Sequence, residues 1–204
     1  KKSSAYAIER VVEDIHAVMR AEKLGDPVLV GHSGGAVVAA AFAASHSNQL
    51  GGLVLIAGSY CPPPYLQNPW LRIVANVVIA IGGFISPPPL KRWHSPYPPG
   101  KHHKEFEIYG LLRTCIYNSF RSYLYTSKTL VTLDLRHALE KITKTTQLIT
   151  QQNDGIFPPA ISEHMKHTIP NSELVILPNT NHVSILNNPY GVAHAITTFL
   201  HTIY

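Results

Sequence analysis

Hydrophobic positions in the first two dozen residues recur at three- and four-residue intervals. Ile8, Val11, Val12, Ile15, Val18 and Met19 fall on one stripe, with Glu9, Glu13, Asp14 and Arg20 opposite. That is the period of an α-helix with one buried face, so a helix is predicted over 1–24. Ser3 or Ser4 can cap its start, and Gly25 stands where a left-handed residue closes a helix ahead of Asp26-Pro27. The period then changes. Residues 28–32 are short and nearly all apolar, which suits a parallel strand buried on both faces. An alanine-rich helix follows over 36–44, Gly51-Gly52 break the chain, and 53–57 form a second apolar strand that ends at Gly58. Helix, strand, helix, strand in this order implies right-handed crossovers in a parallel α/β sheet.

From Tyr60 to about Tyr125 the pattern is different. Ten of the 16 prolines lie between Pro62 and Pro99, in clusters that forbid regular structure and bracket one apolar segment, 70–85. That segment is shorter than the ~20 residues that span a bilayer, and Arg72 and Asn76 interrupt it. It reads as a buried or lid helix, and no stable membrane span is expected. A further helix is predicted over 106–125 from Ile108, Leu111, Leu112, Cys115 and Ile116, and another over 132–142 from Leu133, Leu135, Leu139 and Ile142. Strands follow over 146–150 and 173–177, separated by a helix that opens at Pro158-Pro159. A closing helix carries Val192, Ala195, Ile196, Phe199 and Leu200 on one face.

Composition adds exclusions. At 204 residues, 45% hydrophobic and 14% charged, the chain fits one folded domain with a real core. The net charge of +5 comes from scattered lysines and arginines with no basic block, so no nucleic-acid partner is expected. Cys61 and Cys115 lack metal or redox spacing and read as reduced packing residues, which favours a cytoplasmic setting. Among the 12 histidines, His102-His103 are adjacent and His164 and His167 share a helix face without a third ligand, so no metal site is expected.

The candidate chemistry sits where the first strand ends. Gly31-His32-Ser33-Gly34-Gly35 is a G-x-S-x-G motif between a strand and a helix, the context in which serine becomes an exposed nucleophile on a strained turn. A serine hydroxyl needs a base, and the base needs an orienting group. His182 is the histidine in a polar loop directly after a late parallel strand, and Asp154 is the acid in the equivalent loop after the preceding one. Strand carboxyl ends line one edge of an open parallel sheet, so Ser33, Asp154 and His182 should converge there. A loop histidine with a structural hydrogen bond, and an aspartate in an Asx-turn, are the alternatives for each alone. Gly34 offers a backbone N–H to an oxyanion, and His32 stands beside the nucleophile as a residue of the elbow on the oxyanion and substrate side.

On these residues the chain resembles the α/β-hydrolase family over nearly its full length. The resemblance is carried by the Gly31–Gly35 motif, the loop Asp154-Gly155-Ile156-Phe157-Pro158, and Asn181-His182 before the terminal helix. Gln151 stands where a glycine usually precedes the acid loop, and Asn181 where one usually precedes the histidine. The resemblance implies the C-terminal part of an α/β-hydrolase parallel sheet flanked by helices, with a helical, proline-rich cap insertion. Residues 1–59 and 129–204 would form the core and 60–128 the cap.

The resemblance also implies a serine hydrolase acting through an acyl-serine on a small carboxylic ester, with thioesters and amides as related substrates, and the proline- and aromatic-rich segment after Tyr60 suggests an apolar acyl or alcohol group. Neither cofactor nor metal is needed, and the oligomeric state stays open. Family members have four further strands before the first helix found here, and the loop after the third supplies half of the oxyanion hole. The chain is therefore expected to be the C-terminal two-thirds of a larger hydrolase, unstable or partner-dependent when isolated. Serine at the nucleophile position argues against haloalkane dehalogenase and epoxide hydrolase relatives, which use aspartate there. A non-catalytic ligand-binding member of the fold and an acyltransferase remain open.

Overall fold

An amphipathic helix has to lay its apolar stripe on something. In a computed structural model that describes residues 6–85, 103–105, 119–132 and 134–204, α1 (Ile8–Ala21) buries Val12 and Met19 in a core shared with α2 (Gly34–His46). Both ends of α1 differ from expectation. Its N-cap is Ala7, which makes no side-chain cap bond, and the expected caps Ser3 and Ser4 lie outside the described residues. Its stop comes before Gly25: Lys23 takes a left-handed φ of 52°, with Leu24 N–H donating to Met19 O at 3.0 Å and Lys23 N–H to Arg20 O at 3.2 Å. Those two bonds form a Schellman closure, satisfied here by a residue with a Cβ where glycine is favoured.

Four strands form one parallel sheet in the order β1-β2-β3-β4: β1 (Val28–His32), β2 (Gly52–Ile56), β3 (Thr146–Gln151) and β4 (Ser172–Leu177). Right-handed crossovers between successive neighbours put their helices on one face. Accordingly α2, a single turn α5 (Arg136–Leu139) and α6 (Pro159–Thr168) share a core with Leu53, Leu55 and Leu148. The alternate residues Val54, Ile56 and Ile149 point the other way, onto Val192, Ala195 and Phe199 of α8 (Pro189–Ile203), which follows the single turn α7 (Ser184–Asn187).

Strand β1 is not buried on both faces as its sequence suggests. Val30 is 46% exposed, because β1 is an edge of the described sheet and α8 packs over β3 and β4. The helix expected over 132–142 is also shorter. Asp134 accepts from the Arg136 backbone and guanidinium, and Leu135 N–H donates to Tyr60 O at 2.8 Å, which bends the chain so that only Arg136–Leu139 is helical. Leu139 and Ile142 are nevertheless buried.

Between β2 and β3 the apolar segment forms α3 (Pro69–Ile85), which packs on α4 (Phe120–Val131). Gly82 lies at this crossing, where a Cβ would come within 2.5 Å of Leu124 Cδ1 and displace that side chain. Ser119 Oγ caps α4 by accepting Ser122 N–H at 3.3 Å. Most of the helix expected over 106–125 lies outside the described residues, as do Cys115 and the proline cluster at 87–89; Cys61 is a free, half-buried thiol. Among the described residues no helix is long and apolar enough to cross a membrane.

Replacing Lys23 by glycine should relieve the left-handed strain. Thermal unfolding of Lys23→Gly is expected to show a gain of about 0.5–1 kcal/mol, with activity unchanged.

Candidate active site

The end of β1 dictates the position of Ser33. Its N–H continues the β1–β2 ladder by donating to Ile56 O at 2.9 Å, while its own carbonyl accepts from Ala36 N–H at 2.9 Å and Val37 N–H at 3.2 Å to start α2. One residue thus belongs to strand and helix at once. Ser33 adopts φ 52°, ψ −120°, a conformation that L-residues rarely occupy. The turn is tight because Gly31 permits it: a Cβ there would lie 2.6 Å from Gly35 C and 2.7 Å from Ala36 Cα. Gly34 opens α2, where first-turn amides have no intrahelical acceptor and the helix dipole favours negative charge.

The structure brings Ser33, His182 and Asp154 into one hydrogen-bonded series. His182 Nε2 lies 2.8 Å from Ser33 Oγ, and His182 Nδ1 lies 2.8 Å from Asp154 Oδ2. The Asp154 side chain is fully enclosed. A carboxylate removed from water needs donors, and its second oxygen receives the N–H groups of Ile156 at 2.9 Å and Phe157 at 2.7 Å. Asp154 therefore makes the Asx-turn considered as its alternative and holds the histidine as well, one oxygen for each. An ionised carboxylate only accepts, so the proton of neutral His182 sits on Nδ1 and Nε2 is free to accept from the serine hydroxyl. The Phe157 ring meets the imidazole in a T-shaped contact with ring centroids 5.6 Å apart.

His32 is committed to the same loop. Its Nε2 lies 3.0 Å from His182 O, an acceptor, which fixes the Nε2–H tautomer. Its ring is tilted on that of His182 at 5.4 Å. Burial pushes the His32 pKa below the ordinary histidine value, opposed in part by the His182 backbone hydrogen bond.

Sequence reasoning missed Glu105. Its Oε1 accepts the N–H of His182 at 2.8 Å and that of Gly155 at 3.0 Å. No motif marks it; the one available signal is that it is the first acid after Asp26, beyond 78 residues without a carboxylate. The two departures from family glycine also carry side-chain bonds. Gln151 Nε2 donates to Ser184 Oγ at 2.9 Å, and Asn181 Nδ2 donates to His103 O at 3.1 Å.

The two glycines of the motif should respond differently. Gly31→Ala is expected to destabilise the fold by about 2–4 kcal/mol and to displace Ser33, whereas a Cβ at Gly35 meets nothing within 4 Å and Gly35→Ala should fold normally; denaturant titration separates them. His32 sets a pH dependence. Its folded pKa lies below the unfolded value of 6.5, so the stability it contributes is complete above that pH and is lost as pH falls, because the unfolded chain takes the proton first. Denaturation measured from about pH 8 to pH 5 should show declining stability, and His32→Asn should flatten part of the decline.

A model described as the alpha/beta hydrolase family matches residues 2–195. Among solved structures, the chain is similar to a hydrolase from Pseudomonas aeruginosa PA01, with 22% identity and a TM-score of 0.69 over 96% of this chain and 72% of that one. It is similar to a thermophilic esterase from Thermogutta terrifontis, with 24% identity and a TM-score of 0.67 over 97% and 73%. A structure from a study of carboxylesterases of Nitrososphaera gargenis aligns with 16% identity and a TM-score of 0.69 over 100% and 74%. No curated protein matches the chain by sequence. The match over residues 2–195, together with the parallel sheet and its flanking helices, means that the chain belongs to the alpha/beta hydrolase family.

Proposed function

We propose that the protein hydrolyses a small carboxylic ester through an acyl-Ser33 intermediate, with His182 as base and acid and Asp154 as its orienting carboxylate. The single observation that carries this reading is the series Ser33 Oγ, His182 Nε2, His182 Nδ1 and Asp154 Oδ2, with 2.8 Å at each hydrogen bond, beginning at a strained elbow. Ser33 Oγ attacks the ester carbonyl as His182 Nε2 takes its proton. The oxyanion that forms meets Gly34 N–H at the start of α2. As the tetrahedral species collapses, the C–O bond breaks and His182 returns its proton to the departing alcohol. Water then gives a proton to His182 and attacks acyl-Ser33, and the carboxylic acid leaves as Ser33 regains its hydrogen. Throughout, Asp154 stabilises the imidazolium and keeps Nε2 turned to the serine.

The segment between β2 and β3 would act as the cap, with 60–128 as its extent. Its described helices present apolar side chains such as Trp70, Ile73, Val77 and Phe84 and carry no acid, which supports an apolar acyl or alcohol group. That an esterase and carboxylesterases stand among the similar structures supports an ester over other acyl substrates.

The test is labelling by a serine-directed phosphonylating probe. An adduct on Ser33 is expected, absent in Ser33→Ala, together with a loss of ester hydrolysis of about 10⁴-fold or more. An unlabelled Ser33, or an adduct that survives Ser33→Ala, would instead favour a ligand-binding member of the fold. Acyl transfer to an added alcohol in preference to water would reassign the protein as an acyltransferase.

A further inference from the structure

The segment 103–105 lies between α3 and α4 in the chain, yet it reaches the loops that carry Asp154 and His182. It is fastened there by two asparagines. His103 N–H donates to Asn187 Oδ1 at 2.8 Å, and His103 O accepts from Asn187 Nδ2 at 2.8 Å and Asn181 Nδ2 at 3.1 Å. Asn181 Oδ1 in turn accepts from Asn187 Nδ2 at 2.8 Å and Val183 N–H at 3.2 Å, which closes the network. From this fixed point one oxygen of Glu105 receives the N–H of His182 and the N–H of Gly155, the residue after Asp154.

Those two amides belong to loops that leave different strands. The Asp154 loop follows β3 and the His182 loop follows β4, and the bond between their side chains is useful only at hydrogen-bond distance. Two backbone donors converging on one carboxylate oxygen form charge-assisted bonds that fix the loops to each other independently of that bond. We propose that Glu105 is a positioning residue for the Ser33–His182–Asp154 series. It clamps the acid loop to the histidine loop and makes their alignment depend on the segment inserted between β2 and β3. This rests on reading those three residues as a catalytic triad. A purely structural staple would also bridge the loops, but its loss would lower stability without changing the reactivity of the molecules that remain folded.

The experiment compares Glu105→Ala, Glu105→Gln and wild type, each in the full chain. Read out are the phosphonylation rate of Ser33, kcat and KM on a chromogenic ester, and the low-field proton NMR signal of the His182 Nδ1–H to Asp154 bond. In Glu105→Ala the labelling rate and kcat should fall about 10–100-fold, KM should change little, and the low-field proton should be lost. Glu105→Gln keeps an oxygen acceptor in place and should restore most of the rate and the proton signal. Wild-type labelling and an intact low-field proton in Glu105→Ala, whatever its melting temperature, would overturn the proposal. Should alanine prevent folding, Glu105→Asp withdraws the carboxylate by one methylene with its charge intact; it should slow labelling, and wild-type labelling there would equally overturn the proposal. A wild-type protein that shows the low-field proton but never labels would remove the hydrolase reading, and the proton signal alone would then decide the role of Glu105.

Discussion

The backbone of β1 passes closer to the first turn of α2 than any side chain allows, and the site is built on that approach. At Gly31 a Cβ would run into Gly35 and Ala36. The strand can therefore turn into the helix at a single residue, which keeps one ladder bond to Ile56 O and starts the helix with its own carbonyl. The cost falls on the Ser33 backbone at φ 52°, ψ −120°, a strain of about 1–3 kcal/mol that surrounding hydrogen bonds must hold. A relaxed turn would need additional residues and would carry the hydroxyl away from the sheet edge. The close approach, the strain and the position of Oγ are one geometric fact. The alanine-rich face of α2 extends it, since Ala36, Ala39, Ala40 and Ala43 are all buried.

A second constraint is electrostatic. Asp154 carries its charge where water does not reach, and such a group is tolerable only when its lone pairs are occupied. Two of its three donors are the backbone amides of Ile156 and Phe157, supplied by the turn that Asp154 itself organises ahead of α6. The third is the imidazole. The loop is thus held in shape by local bonds that leave Oδ2 facing the histidine. The same economy appears at Phe157, whose amide binds the carboxylate while its ring covers the imidazole that the carboxylate orients.

How much of this could be read in the sequence follows from the range of the interactions. Short apolar runs located the four described strands, and three- to four-residue spacing, an alanine-rich stretch or an opening proline pair located the helices α1, α2, α6 and α8, because these signals lie among neighbours in the chain. The serine, aspartate and histidine were legible for the same reason: each sits next to a strand end, and a parallel sheet gathers strand ends. Exposure of Val30 was not legible, since an apolar strand looks the same at an edge as at a centre. The single turn of α5 was not legible either, because it is set by Leu135 bonding to Tyr60, 75 residues away. Glu105 is the extreme case. Its partners are backbone amides at Gly155 and His182, and backbone amides leave no trace in residue identity.

The sheet order poses a problem of reach that these distant contacts answer. Ser33 follows β1 and His182 follows β4, three neighbour spacings across the sheet, or about 14 Å, more than an imidazole spans. The loop after β4 must therefore fold back over the ends of the other strands. It does so by lying along the end of β3, where Gln152 N–H donates to Leu177 O at 3.0 Å and Asn153 N–H to Thr180 O at 2.9 Å. Beyond Thr180 the loop has left every strand, and the peptide groups of His182 have no ladder to join. Side chains replace it: Glu105 Oε1 accepts from the N–H, and His32 Nε2–H donates a hydrogen bond to the C=O. His32 comes from the elbow and Glu105 from the segment inserted between β2 and β3, so the backbone of the histidine is held between the end of β1 and that segment. An imidazole placed this far from its own strand can keep hydrogen-bond distance to two partners only if its main chain is fixed from both sides, and these two residues fix it.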